Sequence, residues 1–286
     1  MSMDQAAGLI RAALDARILN QSATEDPYPL RRRLAYQRIL RRLGEHDSGG
    51  WVLKGGYLLE ARIDSTVRAT KDLDLAMRTA DGKAEVAALL REGLATDPDG
   101  DHFEFRISEP TPLTTDLRGN SAWRVTVDAI LDGRTFAKLR IDLVERLDEI
   151  EDATEIVVIP MPVASTAFAD AQVTAVDIAQ HAAEKFHALT QSYSGGRQNT
   201  RVKDLLDIVL MSEAGLLPHP NLANRIRAVF AMRDQTEPPA HLPEPPAAWR
   251  IDYRTLAAAT SARVTELEKA FALVSAIYEA NSTQPA

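Results

Sequence analysis

The sequence predicts an α+β protein in which a mixed sheet is flanked by helices and followed by a mainly helical C-terminal part. Three observations carry this expectation. Residues 1–46 repeat their apolar positions at helical spacing. Between Trp51 and Met161, short runs alternate apolar and polar residues and are separated by turn signals. Beyond Pro162 the helical period returns. The expected division is N-terminal helices over 1–46, a sheet-bearing core over 47–165, and a helical part over 166–286 with a proline-rich connector at 237–249.

The elements follow in order. Gln5 to Leu19 and Leu30 to Leu43 read as helices separated by the polar turn Asp26-Pro27-Tyr28-Pro29. An apolar strand from Trp51 breaks at Gly55-Gly56, and Tyr57 to Ile63 reads as a helix. Lys71 to Met77 alternates with period two, which predicts a strand with Asp72 and Asp74 on one face and Leu73 and Leu75 on the other. A helix over Gly82 to Leu94 precedes the turn Asp97-Pro98-Asp99-Gly100-Asp101. Strands are predicted at Phe103 to Ile107, Trp123 to Leu131, Arg134 to Val144 and Glu155 to Met161, with Asp132-Gly133 as a hairpin turn.

In the C-terminal part, Thr174 is expected to cap a helix running from Ala175 to about Gln191, with Val176, Ala179, Ala183, Phe186 and Leu189 as its apolar stripe. The polar loop Ser192 to Asn199 could order over a substrate. Thr200 is expected to cap Arg201 to Ala214, whose Val202, Leu205, Leu206 and Val209 face a core. The prolines between Glu237 and Trp249 predict an extended connector that wraps the domain, and a last helix is expected over Tyr253 to Glu279.

A chain of 286 residues, 45% apolar and 26% charged, can bury one or two cores without staples. It has no cysteine, which excludes disulfides, thiolate zinc sites and cysteine nucleophiles. No uninterrupted apolar run is long enough to cross a membrane, so a soluble, cytoplasmic protein without a membrane partner is expected. The net charge of −8 does not announce a nucleic-acid binder. Leu30 to Leu43, however, contains Arg31, Arg32, Arg33, Arg38, Arg41 and Arg42 and no acid. That basic face is either a solvated helix surface or a contact for a phosphate backbone or an acidic partner, with Arg31, Arg32, Arg38, Arg41 and Arg42 as candidate nucleic-acid contacts.

Chemistry concentrates in Lys54-Gly55-Gly56 and Asp72-Leu73-Asp74. Glycine lets the backbone approach an anion with its amides exposed, and a following helix N-terminus favours phosphate there. Two carboxylates on one strand face form a hard oxygen site for Mg²⁺. Singly, each is an ordinary feature: a strand-to-helix turn and a solvated strand face. Together they stand in the order that metal-dependent transfer from a nucleoside triphosphate needs. Lys138 to Val144 repeats the alternation and offers Asp142 as a third carboxylate, with Asp128 on the preceding strand competing for the role. His181, Glu184 and His187 lie near one helix face but lack the His-Glu-x-x-His spacing, so no metal site is expected from them. Asp204 and Asp207 share a face; one can pair with Arg201 or Lys203 while the other points toward Lys185.

These residues resemble the AbiEii-type nucleotidyltransferase-like toxins, members of the polymerase β nucleotidyltransferase superfamily that belong to type IV toxin–antitoxin pairs. The matching blocks are Gly55-Gly56 with Leu58 and Leu59, Arg68-Ala69-Thr70, Asp72-Leu73-Asp74, Glu184-Lys185, and Arg201 to Asp207, spread from about Trp51 to the C-terminus. Many superfamily members have Gly-Ser where this chain has Gly55-Gly56, which leaves backbone amides alone to hold phosphate. The resemblance implies a polymerase β-type nucleotidyltransferase core and transfer of NMP from an NTP to an RNA hydroxyl. Asp72 and Asp74 would bind Mg²⁺, joined by Asp142, while Lys54, Gly55, Gly56 and Lys185 would hold the nucleotide. Lys185, Asp204 and Asp207 would stand near the reaction with them. It also implies the 3′ end of tRNA as acceptor, a block of translation, and a cognate antitoxin. Protein nucleotidylation, phosphoryl transfer by a kinase, and a non-catalytic nucleotide- or RNA-binding module stay open as alternatives.

Overall fold

The structure is a computed structural model that describes residues 3–22, 26–63, 70–78, 80–113, 121–163, 168–191 and 201–282. Arg68-Ala69 and the 192–200 loop with the expected Thr200 cap lie outside the described residues. The elements are α1 (Met3–Ser22), α2 (Tyr28–His46), β1 (Trp51–Lys54), α3 (Gly55–Arg62), β2 (Leu73–Met77), α4 (Gly82–Ala95), β3 (Glu104–Ile107) and β4 (Thr111–Pro112). They continue with β5 (Ala122–Leu131), β6 (Arg134–Glu145), α5 (Leu147–Ile150), β7 (Thr154–Ile159), β8 (Ala171–Val176), α6 (Ile178–Thr190), α7 (Val202–Glu213), α8 (Leu222–Asp234), α9 (Trp249–Ala258) and α10 (Leu267–Ser282). The fold is mixed α+β, as expected.

The chain divides into two compact units, one formed by Met1–Tyr57, Lys71–Asp148 and Thr154–Ala175, the other by Leu58–Thr70, Glu149–Ala153 and Val176–Ala286. The first carries a mixed eight-stranded sheet in the order β3-β5-β6-β2-β1-β8-β7, with β4 beside β5. β1 and β2 are antiparallel, β2 and β6 parallel, and β5 and β6 form a long antiparallel hairpin. Its turn is Asp132-Gly133, both with positive φ, as the Asp-Gly dipeptide predicts. Leu73, Leu75, Val125, Val127, Leu139, Ile141 and Leu143 are buried at alternate positions, and α1, α2 and α4 add Leu14, Ile18, Leu34, Ile39, Leu40, Val86 and Leu90 to the core of this unit.

The basic helix α2 is corrected by burial. Arg38 is fully buried: it pairs with Asp99 at 2.5 Å and donates to Gln37 Oε1 and the Ala169 carbonyl. Arg42, also buried, binds Asp101 at 2.5 Å and the Leu94 carbonyl at 2.9 Å. Arg41 pairs with Glu45 and Asp99, Arg31 pairs with Asp15, and Arg32 lies over the Tyr28 ring. Most of these arginines form a socket for the acidic turn at Asp97–Asp101 and for α1. Arg38 and Arg42 are therefore closed to a phosphate backbone. Sequence reading found the charges but not their partners, which come from turns about sixty residues away.

The second unit is helical. Leu59, Ala183, Phe186, Leu205, Leu206, Val209, Ile226, Phe230, Trp249, Tyr253, Val274 and Tyr278 share its core. Two expectations fail here. Thr174 is not a helix cap; it lies inside β8, whose Ala171, Val173 and Ala175 are buried while Gln172 is exposed. The cap is Asp177, whose side chain accepts the Gln180 amide at 2.7 Å. The last helix is likewise two, α9 and α10, separated around residues 259–266. The 236–248 connector has no helix or strand, and it lies on α10: Leu242 is buried and Tyr278 donates its hydroxyl to the Pro239 carbonyl at 2.7 Å.

Candidate active site

The sheet register assembles the acidic site. β1 sets Lys54 opposite Asp74, β2 sets Asp74 beside Asp142, and β6 sets Asp142 opposite Arg124. Four strands thus present Lys54, Asp74, Asp142 and Arg124 in one row. Asp128 falls in register with Lys138 instead, four residues along β5, so Asp142 is the aspartate adjacent to Asp74. The alternation that buries Leu73 and Leu75 leaves Asp72 and Asp74 half-buried on the other face.

Gly55 explains why glycine stands at the end of β1. Its φ is +69°, and a Cβ built there would lie 2.0 Å from Asp74 Oδ2 and 2.6 Å from Asp74 Cγ. The Asp74 carboxylate occupies the space a side chain would fill, so glycine turn and aspartate are parts of one structure. α3 begins on Gly55 itself, two residues earlier than the sequence suggests, and brings the first amides of a helix to the same place.

Asp72 stands just before β2. Arg140 Nε is 2.8 Å from Asp72 Oδ1, yet this contact lacks hydrogen-bond alignment, and among the described residues the buried Oδ1 has no hydrogen-bond partner. Asp142 differs: both of its oxygens are held by Arg124, through Nε at 2.8 Å and Nη2 at 2.7 Å. That clamp and the charges of Asp142, Asp72 and Asp74 push the Arg124 pKa up against a smaller effect of burial. Sequence reading missed Tyr36. Its buried hydroxyl donates to the Lys71 carbonyl at 2.8 Å, immediately before Asp72, and its ring meets that of Tyr57 edge-on at 5.3 Å. Burial raises its pKa, as do the charges of Asp72 and Asp74, against the opposing charge of Arg32. The available signal was a tyrosine in the apolar stripe of α2, whose hydroxyl must find an acceptor once buried.

The distal residues form a separate cluster in the helical unit. Lys185 Nζ, on α6, reaches Asp207 Oδ2 at 2.6 Å and Asp204 Oδ1 at 3.1 Å, both on α7. Both aspartates therefore serve Lys185, and Arg201 approaches Asp204 only at 3.8 Å. Burial would lower the lysine pKa, but the two carboxylates outweigh it and raise it, so the ammonium is permanent. His181 accepts from Arg62 Nη1 at its Nδ1, 3.3 Å away, and among the described residues its buried Nε2 has no hydrogen-bond partner. Glu184 is engaged by Gln180 and Arg233.

Among the described residues no three His, Cys, Asp or Glu side chains converge as a metal cage. The arrangement still fits Mg²⁺, which is commonly bound by one or two carboxylates with the rest of its shell from water and substrate phosphates. Asp72, whose Oδ1 has no aligned hydrogen-bond donor among the described residues, and Asp74, seated on the Gly55 backbone, are two carboxylates of that kind.

An Asp-x-Asp strand paired against a strand, glycine turn and helix is the arrangement that the sequence predicts for a nucleotidyltransferase-type site. MenT4, a nucleotidyltransferase toxin from Mycobacterium tuberculosis H37Rv, shares the fold with a TM-score of 0.52 over 96% of this chain and 90% of that one, at 16% identity. JHP933 from Helicobacter pylori matches more loosely, with a TM-score of 0.43 over 86% of this chain and 88% of that one, at 14% identity. No curated protein matches. The model of the family described as nucleotidyl transferase AbiEii toxin, type IV TA system, matches residues 38–273, and the chain belongs to that family. Membership makes it a nucleotidyltransferase toxin, with an NTP substrate, an antitoxin partner and divalent-metal chemistry implied at the level of the family. No helix among the described residues is long and apolar enough to cross a membrane.

Proposed function

We propose that this chain is a Mg²⁺-dependent toxin that transfers NMP from an NTP to a hydroxyl at the 3′ end of tRNA, blocking translation in the cytoplasm until a cognate antitoxin intervenes. The observation that carries the chemistry is the Asp74 carboxylate seated on Gly55 beside Asp72, whose Oδ1 has no aligned hydrogen-bond donor among the described residues. The RNA acceptor and the antitoxin rest on the family.

Asp72 and Asp74 would hold the metal, which when bound would polarise the triphosphate and favour the attacking hydroxylate. The backbone at Gly55 and Gly56 would cradle the phosphates, and Lys54, in register with Asp74, would add a positive charge beside them. The acceptor oxygen attacks the α-phosphorus in line, the α–β bridging P–O bond breaks, and pyrophosphate leaves with the bonding electrons while the hydroxyl proton passes to a solvent base. Lys185 is proposed to stay an ammonium whose position Asp204 and Asp207 fix within the helical unit.

The test is incubation with Mg²⁺, total tRNA and each α-labelled NTP, for wild type, Asp72→Asn and Asp74→Asn. Label in nuclease-sensitive material that disappears in both variants supports the proposal. Label on protein, or label arriving only from the γ-phosphate, would replace it with protein nucleotidylation or kinase activity.

A further inference from the structure

The two aspartates that flank Asp74 are not equivalent. Asp72 meets Arg140 through one misaligned contact at its buried Oδ1, which has no hydrogen-bond partner among the described residues. Asp142 spends both oxygens on Arg124 in a parallel fork, a strong and geometrically demanding arrangement for a carboxylate. A divalent cation at Asp142 would have to displace or adjoin a guanidinium already bound there. The fork engages Nε and Nη2, and among the described residues nothing accepts from Nη1. Arg124 is about one-third exposed, whereas Asp142 is mostly covered, so the carboxylate is the anchor and the guanidinium is the open end.

We propose that Asp142 is a positioning residue rather than a metal ligand, and that it holds Arg124 so that Nη1 binds a phosphoryl oxygen of the nucleotide at the Asp72–Asp74 site. This rests on the nucleotidyltransferase reading of that site. The row Lys54, Asp74, Asp142, Arg124 then has a simple logic: a cation at each end and acids between them. A triphosphate drawn to a metal on Asp72 and Asp74 meets positive charge on both sides. Asp142 supplies orientation, because an arginine side chain held by two hydrogen bonds loses its rotamer freedom before the ligand arrives.

The experiment measures Mn²⁺ binding by electron paramagnetic resonance and binding of an α,β-methylene NTP analogue, on the full chain. The variants are Asp74→Asn, Asp142→Asn, Arg124→Ala, Arg124→Lys and the double variant of 124 and 142, each checked by its melting curve. Asp142→Asn and Arg124→Ala should leave Mn²⁺ affinity at the wild-type level, weaken the analogue about tenfold each, and fail to add in the double variant. Arg124→Lys should not restore binding, since an ammonium cannot form the fork and keep a donor forward. Asp74→Asn should lose Mn²⁺. If Asp142→Asn loses Mn²⁺ as Asp74→Asn does, Asp142 is a metal ligand and the proposal is wrong. Normal analogue binding in Arg124→Ala would make the pair merely structural and overturn it equally. Unchanged Mn²⁺ binding in Asp74→Asn is a different signature: it removes the metal reading of the site itself, and the proposal with it.

Discussion

The sheet unit and the helical unit each hold an aspartate pair near a basic residue, and the two clusters are built in opposite ways. At Asp72 and Asp74 the carboxylates are half-buried, and Asp72 meets Arg140 only through a misaligned contact. At Asp204 and Asp207 the acids converge on one buried ammonium, with the Asp207 carboxylate almost wholly out of solvent. A half-buried acid pair seated on a glycine turn keeps a side toward solvent where a ligand can reach it. A pair closed around a buried lysine has already used its charge within the protein, and removing one member leaves the others stranded. The same residue types therefore predict different failures: loss of chemistry with the fold intact in the first case, loss of fold in the second.

The sharpest way to break this comparison is Asp74→Asn. Nucleotidyl transfer should fall on the order of 10³-fold while the melting temperature stays near wild type; a large drop in melting temperature would show that Asp74 is structural. Lys185→Met should do the reverse and destabilise the chain by about 3–5 kcal/mol, because the buried Asp207 and the half-buried Asp204 lose their counter-ion. A denaturant titration reads this directly, and a small change would mean that the cluster is open to ligand like the first.

Gly55→Ala falls between them. The left-handed backbone costs about 1–3 kcal/mol for alanine, and the new methyl must displace the Asp74 carboxylate, so activity should drop on the order of 10²-fold together with a modest loss of stability. Activity retained in this variant would separate the glycine turn from the acid site.

The smallest effect is a pH dependence confined to the helical unit. Burial holds the pKa of His181 well below its ordinary value of 6.5, and the nearby charges of Lys185 and Arg62 act in the same direction. The unfolded chain takes up a proton that the folded chain refuses, so this contribution to stability is complete above about pH 6.5 and is lost progressively below it. Wild type should melt earlier at about pH 5.5 than at about pH 7.5, and His181→Gln should show a shallower slope. Some slope should remain, because burial and the Arg233 charge also depress His187.

Much of the fold and the acid site was legible in order along the chain. Period-two alternation placed Asp72, Asp74, Arg140 and Asp142 on faces opposite Leu73, Leu75, Ile141 and Leu143, and the register agrees with it. Asp132-Gly133 marked the hairpin because its backbone conformation is written in the dipeptide. The short parallel strand β8 was hidden: a lone strand beside a helix start carries little local signal, and Thr174 resembles a cap until Asp177 is seen to accept the amide. The gap between Ala214 and Glu237 conceals α8, where Arg225, Arg227 and Arg233 interrupt the apolar stripe; Arg225 and Arg233 find buried partners in Gln180 and Glu149.

What the sequence determined by itself is whatever depends on spacing: which residues share a strand face, where glycine frees the backbone, and which blocks mark the family. Tertiary structure alone decided the partners of the charged groups. Arg38 and Arg42 look like a basic surface and are buried ion pairs; Asp142 looks like a third metal ligand and is clamped by Arg124. The reason is physical. Backbone periodicity is set by neighbours within a few residues, whereas the free energy of a charge depends on its burial and on the nearest opposite charge, which arrives only when distant segments pack together.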